Sequence, residues 1–548
     1  MNGKAWTANS LLSRLLSGWV AAVLLLVLGA PRAFADDAVA TPQADTPPAD
    51  ASPAGAPQPG VDEGKVHEMS PEAKLLGALN DLDSPAEGWF IKDALYDGPY
   101  DAQAQLDIYG AGKNGKHMNP TARPPVELGR RLYDRGAYEP RPTWFGAKNP
   151  INSHLMAYGD FRVAAASYDN GVSGKSDQSV VASRLNLDMD LAITATERIH
   201  AFARPLDKNG SFTRYQIRDG AGGSKNDEFV DQFDFNLDTL YFEGDLGAML
   251  QGWTNHINKL DLPIAFGRVP LFTQNGIWLD DAFDGAALSI TAKNSPSLDI
   301  SNFDLTFFAG FNQVTTAAVP GSNDHAKVFG LAGFADAKKG YFELGYGYVD
   351  ADDKDFSYHN ASAAFTRRYR GSINNSVRLI GNFGQDATTK TADGVLVLVE
   401  NSWIPRRPWN PNVPSPINLV PYFNFFAGFD SPQPLARAAD SGGVLKNTGI
   451  NFESDGLTGY PTLDAGAKDS YGGAFGVEYL FSLNRQIVFE GAVVERMNDN
   501  PLGTQYALGA RYQHPINNAW ILRLDAMHGW REGLKNVYGA RLEIRRKL

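Results

Sequence analysis

The 548-residue chain contains no cysteine. That absence excludes disulfides, thiolate metal sites, haem attached through C-x-x-C-H and cysteine nucleophiles. It suits a protein that crosses an oxidising compartment before folding. Long apolar runs are also missing: after the first thirty residues none matches the roughly 20 residues that a helix needs to cross a bilayer. If the mature chain sits in a membrane, it does so as strands. No basic stripe stands out either. Asp and Glu (62) outnumber Lys and Arg (50), for a formal net charge of −12, which excludes nucleic acid as a partner.

The motifs of catalysis are absent too. There is no H-E-x-x-H and no G-x-S-x-G. Gly110–Lys116, GAGKNGK, matches G-x-x-x-x-G-K, but His117 follows it where Ser or Thr would hold Mg²⁺, so it reads as a glycine loop. The nine histidines lack ligand spacing, and His117, His154 and His200 read as loop or lumen residues. Asp350–Asp355 reads as an acidic turn, because the rest of a Ca²⁺-loop pattern is missing. The chain is read as a non-enzyme without a cofactor.

What the sequence does have is alternation. In Ser179–Thr194, SVVASRLNLDMDLAIT, the positions Leu185, Leu187, Met189, Leu191 and Ile193 are apolar. Arg184, Asn186, Asp188 and Asp190 lie between them. Side chains on a strand point to opposite faces in turn, so one face is apolar and the other charged. A long strand of this kind fits a wall between lipid and water. The aromatic content of 11% excludes a disordered chain.

The chain divides into four stretches. Residues 1–35 read as a signal peptide: Lys4 and Arg14, the short apolar core Gly18–Ala30, then Ala33-Phe34-Ala35 before Asp36. Residues 36–61 are rich in Pro, Ala and Asp and read as an extended tether. Residues 62–150 read as a periplasmic or lumen-facing segment, with a short helix predicted over Ser70–Leu82 behind a Ser N-cap. Residues 151–548 read as an all-β, transmembrane antiparallel barrel of about 16–18 strands. Eighteen alternating segments can be marked, from 155–167 to 536–548.

Connections between the segments tend to alternate long (207–228, 313–325, 430–469) and short (near 195, 337–339, 482–485, 515–517). Outer-membrane barrels have short periplasmic turns and long outside loops. Two short-side turns, 247–259 and 404–416, break the rule. The final segment repeats the alternation, with Tyr538, Ala540, Leu542 and Ile544 on one face and Arg541, Glu543 and Arg545 on the other. The expected location is the bacterial outer membrane.

Charge on a lipid face costs a few kcal/mol near the midplane, so the polar phase is assigned inward. That assignment gives the candidate channel-lining set Arg184, Asp188, Asp190, Arg198, His200, Arg204, Asp234, Asp238, Arg378, Glu490, Arg496, Arg511, Arg523 and Arg541. Opposed arginine and carboxylate arrays set up a transverse field that sorts solutes by charge. The connection 430–469 carries Leu435, Val444, Leu445, Ile450, Phe452, Leu457 and Tyr460, too apolar for a solvated loop. It is expected to fold into the lumen.

Residues 264–271 and 275–290, IAFGRVPL and NGIWLDDAFDGAALSI, resemble a signature of the alginate-export family of outer-membrane barrels. On that resemblance Arg268 is the lumen arginine and Phe283-Asp284-Gly285 opens the next strand. The resemblance implies a barrel and channel activity; the acid-rich lumen argues against taking over the family's anionic polymer as substrate. The first functional reading is a porin-like channel for small polar or charged solutes. The others are an exit channel for a polysaccharide and a barrel sheath for a periplasmic electron-transfer partner. Outer-membrane lipid is the expected surrounding, and residues 62–150 are the candidate surface for a periplasmic protein.

Overall fold

In a computed structural model, the described residues are 124–129 and 153–548, apart from 172–176, 195, 209, 220–224, 255, 258, 405–418, 454–456, 482–484, 498–502 and 518. The signal, the tether, the helix at 70–82, the glycine loop at 110–116 and most of the turn at 404–416 lie outside them.

Alternating sequence builds one continuous wall. Its strands are β1 (His154–Asp169), β2 (Asp177–Ala192), β3 (Arg198–Ala203 with Arg214–Asp219), β4 (Lys225–Val230 with Leu237–Asp245), β5 (Pro263–Thr273) and β6 (Leu279–Ser295). Then come β7 (Ile300–Asn312), β8 (Ala326–Ala337), β9 (Gly340–Ala351), β10 (Tyr358–Tyr369), β11 (Ile373–Phe383) and β12 (Asp393–Trp403). The last are β13 (Leu419–Ser431), β14 (Ser470–Leu480), β15 (Gln486–Arg496), β16 (Gln505–Pro515), β17 (Trp520–Arg531) and β18 (Val537–Lys547). The sheet holds 22 strand segments; β3 and β4 each come in two pieces and two short segments are added by other parts of the chain, which leaves 18 wall strands.

Each strand is antiparallel to the next, and β1 pairs with both β2 and β18. The sheet therefore closes and leaves no wall edge, as a strand structure in hydrocarbon requires. The faces divide as the sequence alternates. Leu508, Leu524, Leu542 and Ile544 are exposed on the outside, while Asp525, Arg541 and Glu543 are buried inside. Outward apolar rows such as Phe266, Phe425, Phe475, Leu508 and Leu542 remain exposed, although the interior also holds a buried apolar core. No helix among the described residues is long and apolar enough to cross a membrane.

All eighteen marked segments correspond to wall strands, with one difference. The connection expected at 207–228 is partly wall: β3 resumes at Arg214 and β4 starts at Lys225. Between the two pieces of β3 the chain leaves the sheet over 204–213 and turns inward, placing Phe212 against Ala164, Val180, Ala182 and Leu457. Two loops also fold inward. One is 313–325, whose Val314 and Ala318 join the interior core; the other is 432–469, which adds Leu435, Val444, Leu445 and Phe452 to it.

The over-long turn at 247–259 carries a helix, α1 (Leu246–Thr254). Asp245 caps it through the Ala248 N–H and also takes the Leu262 N–H at 2.7 Å, which ties both ends of the turn together. At the seam, Val126–Leu128 pairs with Leu155–Ala157 of β1, beyond the stretch that β18 covers. It runs in the same sense as β18.

Candidate channel interior

The loop 432–469 is fixed to the wall by polar contacts at each end and by apolar contacts between them. Leu435 N donates to Trp278 O (2.8 Å), Arg437 N to Thr315 O (2.9 Å) and Ala438 N to Asp280 O (2.8 Å). Trp278 is fully buried, and its Nε1 donates to Asn360 Oδ1 of β10 at 2.6 Å. Asn360 Nδ2 in turn donates to Gln433 O at 3.0 Å. Gly345 and Gly347 on β9 make room: a Cβ there would stand 2.7 Å from the Trp278 ring and 2.6 Å from Leu435.

Farther along the loop, Glu490 of β15 is the anchor. It accepts from Ile450 N and Asn451 N (2.9 Å each), from Asn451 Nδ2 (2.9 Å) and from the Tyr422 hydroxyl (2.5 Å). Four donors satisfy a buried carboxylate that would otherwise be costly to desolvate. The apolar side of the loop thus lies on the wall from β6 to β15. Its polar side, with Lys446, Asn447 and Glu453, borders a cavity of about 360 Å³ that Tyr422, Asn424 and Arg511 also line.

Across that space runs an ionic band over neighbouring strands. Asp525 of β17 lies between Arg511 of β16 and Arg541 of β18 and is 2.7 Å from each. Arg523 is 3.0 Å from the same carboxylate. Glu453 reaches in from the loop to Arg511 (2.5 Å) and Arg523 (3.1 Å). Burial raises the proton affinity of Glu453, but the two guanidinia outweigh it and hold its carboxyl below the usual range. Tyr460, over which Arg541 stacks at 5.7 Å, is pushed up by burial and by Asp525.

The band continues across the seam. Glu543 takes both Nε and Nη2 of Arg162 at 3.0 and 2.8 Å, and Arg545 at 3.3 Å. Arg204, at the start of the inward excursion, is bidentate on Asp238 (2.9 and 3.1 Å) and 3.2 Å from Asp207. Arg184 donates to Asn186 at 2.8 Å, lies 4.0 Å from Asp207 and stacks over Phe212 at 5.3 Å.

The other sequence-predicted residues fall as follows. Arg198 pairs with Asp190 at 3.1 Å. His200 meets Glu243 at 3.1 Å and stacks on Tyr241. Asp188 stands in register with Tyr158 and Phe202, on the same face of the sheet. Arg496 is 2.6 Å from Asp464 of the inward loop. Arg378 is buried, 3.1 Å from Glu400 and 3.7 Å from Glu343. Asp234 lies off the strands, in the break of β4, where it accepts from Asn236 N at 2.9 Å. Arg268, expected in the lumen, instead shares the strand face of exposed Phe266 and Phe272, with its neighbour Val269 on the buried face; it donates to Leu237 O (3.4 Å) and Gln313 Oε1 (3.2 Å).

Comparison with known proteins adds fold neighbours only. No family model matches the chain, and no curated protein matches it. The resemblance of residues 264–290 to the alginate-export family therefore rests on those residues alone. Among solved structures the chain is similar to Pseudomonas aeruginosa OccK7 (OpdD), with a TM-score of 0.45 and 10% identity over 72% of this chain and 98% of that one. OccK5 (OpdH) of the same organism gives 0.45 and 11% over 72% and 98%. OpdK of that organism, solved with vanillate, gives the same figures.

Several interior residues were not among the channel-lining candidates: Arg162, Asp207, Glu453, Asp525 and Glu543, the last placed on the polar face of its strand but not in the set. Asp525 and Glu543 carry a signal, since they alternate with Leu524 and Leu542. Glu453 and Asp207 sit on inward-folded segments without periodicity, and only the tertiary fold brings them to the band. Among the described residues no cluster has metal-holding geometry.

Proposed function

We propose that this chain is an outer-membrane channel of the porin type, passing small polar or charged solutes through the interior space that the inward loop 432–469 and the ionic band border. The observation that carries the reading is the pairing of a closed wall, apolar outside, with an interior where Glu453 of the loop faces Arg511 and Arg523. In this reading Arg184, Arg204, Arg511 and Arg523 line the passage together with Asp188, Asp190 and Glu453. The short turns face the periplasm and the long loops the outside, after cleavage of residues 1–35.

Interlocked guanidinia and carboxylates at a narrow point give a fixed transverse field, which sorts solutes by charge and dipole. The packed loop argues for solutes of small cross-section rather than a polymer or a protein threaded through the bore. Single-channel recording in a planar bilayer tests this. Deleting residues 436–466 is expected to raise conductance well above that of the intact chain; an unchanged conductance refutes the narrowing, and no conductance from either refutes the channel.

A further inference from the structure

The two rims of the barrel differ in what accompanies their outward aromatic side chains. At the short-turn end, three guanidinia stand over lipid-facing rings. Arg367 lies 5.0 Å from the Tyr369 ring, Arg485 lies 4.6 Å from Phe481, and Arg546 lies 5.5 Å from Trp520. Alternation fixes their side of the wall: Arg546 follows exposed Leu542 and Ile544, Phe481 follows exposed Phe475, and Tyr369 pairs with exposed Ile373. The Nε of Arg367 is shielded from solvent and has no hydrogen-bond partner among the described residues. Arg368, Arg370 and the turn residue Lys339 add charge to this rim, while Lys338 is paired with Asp299 at 3.2 Å.

The opposite rim carries Asp350, Asp352, Asp353, Asp386 and Asp430, together with Lys354, paired with Asp350, and Lys390, paired with Asp393. Its outward aromatics meet histidines instead: His359 is bonded to Tyr346 at 2.8 Å, and His528 stacks on Tyr538. The guanidinium–ring contacts that face outward among the described residues are those of the short-turn rim.

We propose that this basic rim binds the phosphodiester headgroups of anionic glycerophospholipids in the adjoining leaflet. The rings hold each guanidinium at the depth of the aromatic girdle, where headgroups lie. A guanidinium presents donors in a planar fork that matches phosphate oxygens, and its stacking on a ring reduces the conformational freedom lost on binding. The spacing around the rim, from β10 through the β14–β15 turn to the seam, gives separate lipid positions rather than one pocket. The proposal rests on the barrel's seat in a bilayer and not on conduction.

Native mass spectrometry of the full chain in detergent, with added phosphatidylglycerol or phosphatidylcholine, tests it. The unmodified protein is expected to retain the anionic lipid with a preference on the order of fivefold, the size that one surface arginine confers. The triple variant R367Q/R485Q/R546Q is expected to bring the ratio close to one while keeping its conductance. If that variant does not fold, the three single substitutions are compared, each expected to lower the ratio. Equal retention of the two lipids, or an unaltered ratio in the variants, overturns the proposal. Loss of the preference on adding inorganic phosphate overturns it in favour of a free-phosphate site. A chain that stays soluble without detergent overturns the membrane reading as well, which equal lipid retention does not.

Discussion

Glu453 Oε2 lies 2.5 Å from Arg511 Nη1, and this contact joins the inward loop to the wall where the interior is most ionic. The other oxygen of Glu453 takes Arg523 at 3.1 Å, and Asp525 meets both arginines from the side of the wall. Two carboxylates thus face three guanidinia, counting Arg541. The loop thus has two separate polar anchors, this clamp and Glu490.

Glu453→Gln removes one negative charge beside the passage and leaves Arg511 and Arg523 with Asp525 alone. Anion permeability relative to cations is expected to rise, read as a shift of reversal potential under a salt gradient. Glu453 remains partly exposed, so the stability cost is expected to be small, about 1 kcal/mol. An unmoved reversal potential would show that solutes do not pass this group.

The same carboxyl makes the clamp dependent on pH. Its proton affinity is lowered in the folded protein, so its contribution is complete above the unfolded-state value and is lost as pH falls through the folded value. Current recordings are therefore expected to be steady at neutral pH and to become noisier in acid below the ordinary glutamate range. In Glu453→Gln the acid-induced component should be missing. Equal acid noise in both proteins would rule out this carboxyl as its source.

The wall was legible in sequence because lipid outside and water inside impose opposite demands on successive residues, and a period of two records that contrast. Tyr538-Gly539-Ala540-Arg541-Leu542-Glu543-Ile544 states its own register. The inward stretch 204–213 was not legible. Among its described residues Phe212 is the one in the apolar core, and what draws it inward is a pocket formed by Ala164, Val180 and Ala182 on two other strands. The loop 432–469 could be assigned to the lumen from its apolar content, but not the partners of its polar residues. The family resemblance gave Arg268 a lumen role, whereas the strand groups it with Phe266 and Phe272. Local sequence carries the period; it does not carry contacts between segments far apart in the chain.

Gly345→Ala tests the packing under the loop. The new methyl group would stand 2.7 Å from the Trp278 ring, a rigid group already bonded to Asn360. Overpacking of this kind costs about 1–3 kcal/mol. Urea unfolding from detergent is expected to show that loss. Tryptophan fluorescence should shift toward a more polar environment as the ring is displaced. Stability equal to that of the unmodified chain would mean that the ring has room to move.

Arg378 is buried on the inner face of β11, between Glu343 of β9 and Glu400 of β12. Arg378→Met keeps much of the volume and leaves two carboxylates facing each other without a cation. Removing one member of a buried ionic group typically costs about 3–5 kcal/mol. Both carboxylates retain about a fifth of their exposure, so the lower end is expected. Glu400→Gln should cost less, because Glu343 still neutralises the arginine. A smaller loss for Arg378→Met than for Glu400→Gln would contradict this order.

The seam offers the most local test. β18 pairs with β1 only as far as Asp160, with Leu548 bonded to Gly159 just beyond. Leu155–Ala157 would then keep unpaired groups on that edge were it not for Val126–Leu128. Unpaired backbone groups at a membrane rim are costly and invite wrong pairing. Proline has no N–H to donate, so the double substitution Val126→Pro and Leu128→Pro is expected to detach the segment while the β1–β18 and β1–β2 ladders persist. Hydrogen exchange should then speed up at residues 155–157 and stay slow from Ala164 to Ser167, where both neighbouring strands pair with β1. Uniform acceleration along β1 would mean that this short segment supports closure of the whole barrel. No change at 155–157 would mean that it contributes nothing to the edge.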